Sequence, residues 1–416
     1  MKRSEIEFVI DEQDRERRKT RSMEREALKA IRAERNFATV MTGVRRCGKS
    51  TLLAQYLAAS GERAVALSFD DLGLVGFALE DFRLLDAIIT ERKATLVGLD
   101  EIQLIDGWER YVSSLVKKRV KVLVTGSNAK MLSRELGTML TGRHLDMELF
   151  PFSYPEFLRF TKRKPGTKSL DDYVSLGGFP AFLSLRVASV LRELLDDILY
   201  RDVIVRYGLG STAPVRQLAA YLLTHVGAVI SPSRLKDAIH VQQAGTVLDY
   251  FDHLKECFLV HRLERHSESP KARMLAPKKI YVCDTGLCSV VEKGRNLNLG
   301  HKLENVIYWH LYRKGGDLTY YRDKASENEC DFIREDDDGS IEAIQVAWEL
   351  NDDNEAREIA GLLGAMRRFG LKKAVIVTRN QRDYVNDSGL QIGILPAYEY
   401  LMPDFDNGYG ERRSSR

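Results

Sequence analysis

A chain of 416 residues has room for about two to four domains, because a single core rarely grows past about 250–300 residues. Hydrophobic residues at 44%, charged residues at 30% and a formal net charge of +3 exclude a disordered polyelectrolyte and leave any basic surface local. The five cysteines form no CxxC pair, which argues against a disulfide framework or structural zinc, and no apolar run approaches the roughly 18–20 residues of a membrane span; a cytoplasmic protein is expected.

The opening MKRSEIEFVIDEQDRERRKT lacks an apolar signal-peptide core. Residues 11–35 are rich in both signs of charge and predict a helical extension whose thin apolar stripe is Met23, Ala27, Leu28 and Ile31. A solvated helix packed along one seam is the plain reading; a basic arm for nucleic acid or a neighbour is the other. From Phe37 the pattern changes to strand at 38–42, helix at 52–60, strand at 64–69, helix at 82–90, strand at 94–99, helix at 108–117 and strand at 120–124. Such alternation predicts an α/β parallel sheet with helices on both faces.

After Pro151 the strands stop, and residues 155–227 read as helical with a turn at Gly177-Gly178-Phe179-Pro180. Residues 213–285 read as three helices followed by strands at 258–263 and 279–282. An α/β pattern returns near Gly300, with a helix at 303–313, strands at 318–322, 331–334 and 342–347, a helix at 354–369 and a strand at 373–378. The tail beyond Asp404 is rich in Gly and Arg and predicts a frayed end.

The chemistry concentrates in Gly43-Val44-Arg45-Arg46-Cys47-Gly48-Lys49-Ser50, followed by Thr51, which fits GxxxxGK[ST] between a strand and a helix. Glycines let backbone N–H groups curl around phosphate oxygens at a helix N-terminus. Lys49 is expected to reach the β- and γ-phosphates and the Ser50 hydroxyl to ligate Mg²⁺. Cys47 reads as a small residue inside the loop. The strand Leu96-Val97-Gly98-Leu99 delivers Asp100 and Glu101 at its C-terminal end, where open sheets bind ligands. Asp100 is expected to hold Mg²⁺ and Glu101 to polarise the attacking water. In Val124-Thr125-Gly126-Ser127-Asn128, Ser127 or Asn128 is the candidate contact for water and γ-phosphate. Arg143, in Leu140-Thr141-Gly142-Arg143, is the candidate arginine finger toward a neighbouring subunit, with Arg134 the alternative.

GVRRCGKSTLL, LVGLDEIQ, VTGSN, LTGRH and LFPFSYPEF resemble the AAA+ superfamily, in particular the prokaryotic ATPases related to initiator, archaeal-helicase and STAND-type proteins. GGFP, YRDVIVRYG, KIYVCDTGL, GHKLENVIY and ECDFI resemble that group's C-terminal domain of unknown function. The resemblance spans roughly residues 37–350. It implies ATP with Mg²⁺ as ligands, a helical lid and assembly into homo-oligomers. The expected fold is a P-loop NTPase parallel sheet with helical lid, winged helix and a C-terminal α/β restriction-endonuclease-like domain. The expected boundaries are 1–36 extension, 37–152 nucleotide-binding core, 153–212 lid, 213–290 winged helix, 296–402 nuclease-like domain and 403–416 tail.

Within the winged-helix resemblance, Ala244 to Glu256 is the recognition helix, flanked or lined by Gln242, Gln243, Thr246 and Lys255. Arg262, Arg265, Lys271, Arg273, Lys278 and Lys279 cluster around the wing, a pattern suited to duplex DNA and equally to a protein contact. The nuclease-like resemblance assigns a divalent metal to a helix Glu, a strand Asp and an [E/D]xK on the next strand. Glu304 and Asp331 match, but Gln345 and Ala347 replace the last carboxylate and the lysine, so a degenerate site without cutting activity is expected. The functional expectation is an ATPase coupled to DNA; a STAND-like switch on protein partners is the alternative, and an active nuclease a third.

Overall fold

The computed structural model describes residues 1–127, 142–292, 298–323 and 327–403. Asn128 and Arg134 lie outside the described residues. The chain divides into two units, the first being Met1–Pro151 with Tyr200–Arg206 and Glu256–Phe258, the second Phe152–Leu199, Tyr207–Lys255 and everything from Leu259 on.

The first unit contains α1 (Arg3–Lys19), β1 (Ala38–Thr42), α2 (Lys49–Ala59), β2 (Ala64–Ser68), α3 (Phe82–Glu91), β3 (Leu96–Asp100), α4 (Trp108–Lys117), β4 (Lys121–Thr125) and β5 (His144–Glu148). The strands form a parallel sheet in the order β2-β3-β4-β1-β5. β1 and β3 are buried along their whole length, as strands covered on both faces must be, which is why both read as nearly unbroken apolar runs. β1 sits where the strand order reverses, so the loop after it opens into the crevice at the carboxyl ends of the sheet.

The expected extension at 11–35 is corrected. The helix lies earlier, at Arg3–Lys19, and buries Ile6, Val9, Ile10 and Gln13 at i, i+3, i+4 and i+7. The stripe read at Met23, Ala27, Leu28 and Ile31 falls on an irregular segment with one 3₁₀ turn at Glu26–Ala30. α1 covers the edge of the sheet. Ser68 of β2 donates its N–H to Gln13 Oε1 at 2.9 Å, Gln13 Nε2 donates to Ser68 O at 3.2 Å, and Arg17 donates to Ala66 O at 2.9 Å. These side chains satisfy edge groups that would otherwise template another strand.

The second unit is helical at first: α5 (Tyr154–Thr161), α6 (Thr167–Leu176), α7 (Pro180–Leu185), α8 (Ser189–Asp197) and α9 (Ala213–Thr224). The turn at Gly177-Gly178 is required by Asp284, whose carboxylate accepts the Gly178 N–H at 2.6 Å and the Gly286 N–H at 2.9 Å. A Cβ on Gly177 would stand 1.8 Å from Asp284 Oδ1. Then follow β6 (Val229–Ile230), α10 (Pro232–Ala238), α11 (Ala244–Glu256), β7 (Val260–Arg265), α12 (Pro270–Leu275), β8 (Lys278–Val282) and α13 (Cys288–Val291). The last stretch holds α14 (Leu299–Lys314), β9 (Asp317–Arg322), β10 (Glu329–Glu335), β11 (Ile341–Ala347), α15 (Glu355–Phe369), β12 (Lys373–Thr378), β13 (Asp383–Asp387), β14 (Leu390–Pro396) and α16 (Ala397–Tyr400).

One sheet runs through this unit in the order β13-β14-β12-β11-β10-β9-β7-β8-β6. β9, β10 and β11 form an antiparallel meander, and β12 and β14 add in parallel. β7 joins β9 at Glu264 and Arg265, so the hairpin β7-β8 continues the sheet that holds the meander. The register of β10 against β9 shifts between Cys330 and Ile333, an irregularity that falls on Asp331 and Phe332.

Candidate nucleotide site in the first unit

Gly43 ends β1 with φ 144° and lies against β5; a Cβ there would meet Leu149 O at 2.1 Å, so only glycine fits. Gly48 has φ 104° and is the N-cap of α2. Arg46, between them, also has positive φ, at 63°. Cys47 is buried, with Sγ donating to Leu149 O at 3.4 Å, and burial pushes its thiol above the usual range. The small-residue expectation for Cys47 therefore has a concrete cause.

Lys49 is 4% exposed, and its ammonium donates to the carbonyls of Gly43 at 3.0 Å and Val44 at 3.2 Å, within the curl of the loop. Arg25 fixes the outside of that curl, donating to Cys47 O at 2.7 Å and to Phe150 O at 2.8 Å. Arg45 turns the other way: its guanidinium pairs in two-pronged fashion with the Asp202 carboxylate at 2.9 and 2.8 Å, and Asp202 is 2% exposed. Asp202 lies on a π-helix, Ile198–Val205, and belongs to the Tyr200–Arg206 segment of this unit. Val44 is buried, while Ser50 and Thr51 begin α2 beside Lys49.

Asp100 is where three strand ends meet. Oδ1 accepts from Ser50 at 3.0 Å and from the Thr125 hydroxyl, and Oδ2 accepts from Ser68 at 2.7 Å. Glu101 follows in a left-handed conformation, φ 50°, with its N–H donated to Thr125 Oγ1 at 3.1 Å and its carboxylate accepting from Gln103. Ser127 is 2% exposed, and its hydroxyl has no partner among the described residues. A cavity of about 930 Å³ opens beside Ser50, Thr51 and Asp100, walled on its far side by Gln13, Arg17, Arg21 and Ser22.

Arg143 is exposed just before β5, its carbonyl accepting from Ala38 N at 3.0 Å. Ala38 opens β1 and the phosphate loop follows its other end, so Arg143 is separated from its own chain's loop by the length of the strand. The structure thus gathers Gly43–Thr51, Asp100, Glu101 and Ser127 at one end of the sheet and leaves Arg143 at the other. Sequence reasoning missed Arg25, Asp202, Ser68 and Thr125. Thr125 was within sight, one step from the polar strand end that VTGSN announces; Arg25 and Asp202 carry no local signal.

In the second unit, Glu304 of α14, Asp331 of β10 and Gln345 of β11 do come together, around the Lys279 ammonium of β8. Burial pushes the Glu304 carboxyl up to about 7 against the pull of Lys279, with Asp331 adding to the rise. The rest of the basic wing is largely spoken for. Arg262 pairs with Asp252 and lies over the Phe251 ring, Arg265 donates to Arg322 O, and Arg273 pairs with Glu264 and Asp317. Lys278 caps the carbonyls of Arg273, Met274 and Ala276 at 2.8–2.9 Å. Lys271 stands exposed. Gln243 just before α11, and Asp249 and Lys255 on it, are exposed, so its outer face is not uniformly basic.

Residues 35–158 match the family model of the AAA domain, and residues 167–298 match that of a domain of unknown function (DUF8612). An uncharacterised protein of Haemophilus influenzae is 26% identical over 378 residues, covering 86% of this chain and 92% of the relative. An uncharacterised protein of Methanocaldococcus jannaschii is 28% identical over 397 residues, covering 88% of each. Among solved structures, a study of katanin self-assembly aligns at 13% identity and TM-score 0.25, covering 52% of this chain and 71% of that one. The Saccharomyces cerevisiae Hsp104:casein complex aligns at 12% and 0.29, covering 63% and 58%. At those scores neither likeness bears on function. The AAA-domain match covers Gly43–Thr51, Asp100 and Glu101 and supports nucleotide binding by the first unit. Among the described residues no helix is long and apolar enough to cross a membrane.

Proposed function

We propose that the chain binds ATP with Mg²⁺ at Gly43–Thr51 and hydrolyses it, and that the cycle drives a protein contact. The observation that carries the first part is the convergence of Ser50, Ser68 and Thr125 on the Asp100 carboxylate, with Glu101 held on the same threonine. Hydroxyl and carboxylate oxygens are the donor set that suits Mg²⁺, so Ser50 and Asp100 fit as the residues that would hold it. The ion would neutralise charge shared between the β- and γ-phosphates. Lys49 would exchange its two carbonyl partners for phosphate oxygens, Glu101 would orient water for in-line attack, and Ser127 offers a buried hydroxyl with hydrogen-bonding capacity to spare. Lys49→Ala is expected to abolish nucleotide binding. Glu101→Gln is expected to keep binding and to slow turnover by about 10²-fold or more; unchanged turnover in either variant sinks the assignment.

For the output, the internal pairing of Arg262, Arg265, Arg273, Lys278 and Lys279 favours the switch acting on protein partners over the DNA-coupled reading. Phosphate binding depends on releasing counterions with available cations; Arg262, Arg273 and Lys279 are paired with carboxylates, and Arg265 and Lys278 spend donors on backbone carbonyls. A steep fall of duplex affinity with salt, together with DNA-stimulated turnover, would restore the DNA reading. Homo-oligomers follow from the same proposal, with Arg143 completing a neighbour's site, and the five buried free thiols suit a reducing cytoplasm.

A further inference from the structure

We infer that the Lys279 ammonium stands where the nuclease-like resemblance calls for a divalent ion, so that this site is neutralised from within and takes no metal. The three positions that the resemblance assigns to a metal site are brought together, the third holding Gln345 instead of a carboxylate. Glu304 projects from α14, Asp331 from the irregular step of β10, and Gln345 from the neighbouring strand β11. What sits among them is a side chain. Lys279 Nζ lies 2.9 Å from Glu304 Oε1, 2.7 Å from Asp331 Oδ1 and 2.7 Å from Glu329 Oε1, and the side chain is 4% exposed. An ammonium has three N–H donors; two are donated to Glu304 and Asp331, and Glu329 adds a third negative charge as an ion pair.

Two further contacts engage the same carboxylates. Asp331 Oδ2 accepts the Val346 N–H at 3.0 Å, and Glu304 Oε1 also accepts the Tyr281 hydroxyl at 2.7 Å. Gln345 accepts the Asp331 N–H at 3.0 Å through its oxygen and donates to Glu358 through its nitrogen. That amide therefore supports the shape of the cluster and is used at both ends. A divalent ion binds carboxylate oxygen at about 2.0–2.6 Å. It cannot share these oxygens with Nζ at hydrogen-bonding distance. Binding would require Lys279 to leave as a buried, unpaired charge.

The motif places its lysine on β11, where Ala347 stands. The cation comes instead from β8, in the hairpin that continues the sheet. It is no replacement for the missing catalytic lysine, because its ammonium is held by the very carboxylates it would have to assist. Its effect is to fasten β8 to α14 and β10. A residue pattern that resembles a metal site thereby serves as a fold contact beside a cavity of about 650 Å³.

The test is Mn²⁺ binding to the full chain without nucleotide, followed by electron paramagnetic resonance and by melting temperature. Wild type and Asp331→Asn should give superimposable Mn²⁺ titrations, since neither holds metal here. Lys279→Ala should gain a site at least about tenfold tighter than any in wild type, melt higher with Mn²⁺, and lose both effects when Asp331→Asn is added. Two results overturn the inference: wild-type Mn²⁺ binding or plasmid cleavage that Asp331→Asn removes, or a folded Lys279→Ala that gains no Mn²⁺. Should Lys279→Ala fail to fold in both the presence and absence of Mn²⁺, the wild-type and Asp331→Asn comparison decides alone.

Discussion

Arg25 and Asp202 hold the phosphate loop from opposite sides, and neither belongs to the motif. Arg25 satisfies two carbonyls through a planar fork. Arg25→Ala leaves both exposed to strain, and at about 1–3 kcal/mol for an unsatisfied buried group the expected cost is a KM for ATP raised about tenfold. Arg25→Lys should not repair it, since a point charge cannot span two acceptors in fixed directions. Asp202→Asn removes the counter-charge of Arg45 and should destabilise the nucleotide-free chain by about 1–3 kcal/mol, discounted because Arg45 is partly exposed. Phosphate can replace that charge, so ATP should raise the melting temperature more in Asp202→Asn than in wild type. An equal rise would show that Arg45 stays clear of nucleotide. These residues explain what the sequence could and could not disclose. Lys49 and Ser50 are legible because their spacing along one strand-loop-helix unit is the chemistry, and Asp100 and Glu101 because they close an apolar strand. Arg25, Ser68 and Asp202 act across 22, 32 and 157 positions, and only the folded chain brings them in.

Among the elements, α1 shows how a period can be read correctly and placed wrongly. The charge-rich stretch did contain a helix, but its buried face begins at Ile6 and ends at Gln13, before the stripe that was read. Removing residues 1–20 should lower the melting temperature by about 10 °C, from loss of the buried Ile6, Val9 and Ile10, and should promote aggregation through the uncovered β2. β5 and β13 give no clear strand signal because they are mixed in polarity: β5 is only half-buried, and β13 is an exposed edge. The hairpin β7-β8 makes a pH prediction. His261 of β7 packs among Tyr308, Trp309 and Tyr312, and desolvation pushes its imidazole down to about 4, with Lys255 adding to the fall. The neutral form is favoured in the fold, so the unfolded chain takes up a proton first. Its stabilising contribution is complete above about pH 6.5 and is lost as pH falls through 4. The acid slope of melting temperature between those values should flatten in His261→Phe.

At the scale of the whole molecule, the AAA domain and the sheet that follows it were expected, but the separate winged helix and nuclease-like bodies were drawn where a single sheet passes through both stretches. Local periodicity gives strands; it does not say that β7 will pair with β9 across more than fifty residues. Arg143 gives the molecule-wide prediction. It lies at the far end of β5 from its own loop, so an action on γ-phosphate needs a second copy. Turnover per chain should rise with protein concentration, and Arg143→Ala should flatten that rise while leaving nucleotide affinity in place. A rate independent of concentration would remove Arg143 from catalysis.

Gln13 has a consequence beyond covering an edge. Its amide grips both backbone groups of Ser68, and the Ser68 hydroxyl in turn holds Asp100. The first helix is therefore a handle on the carboxylate that faces Ser50. Whatever levers that helix away from the sheet tilts one side of the cradle proposed for Mg²⁺, and a nucleotide seated there would resist the pull with whatever affinity it has for the intact arrangement.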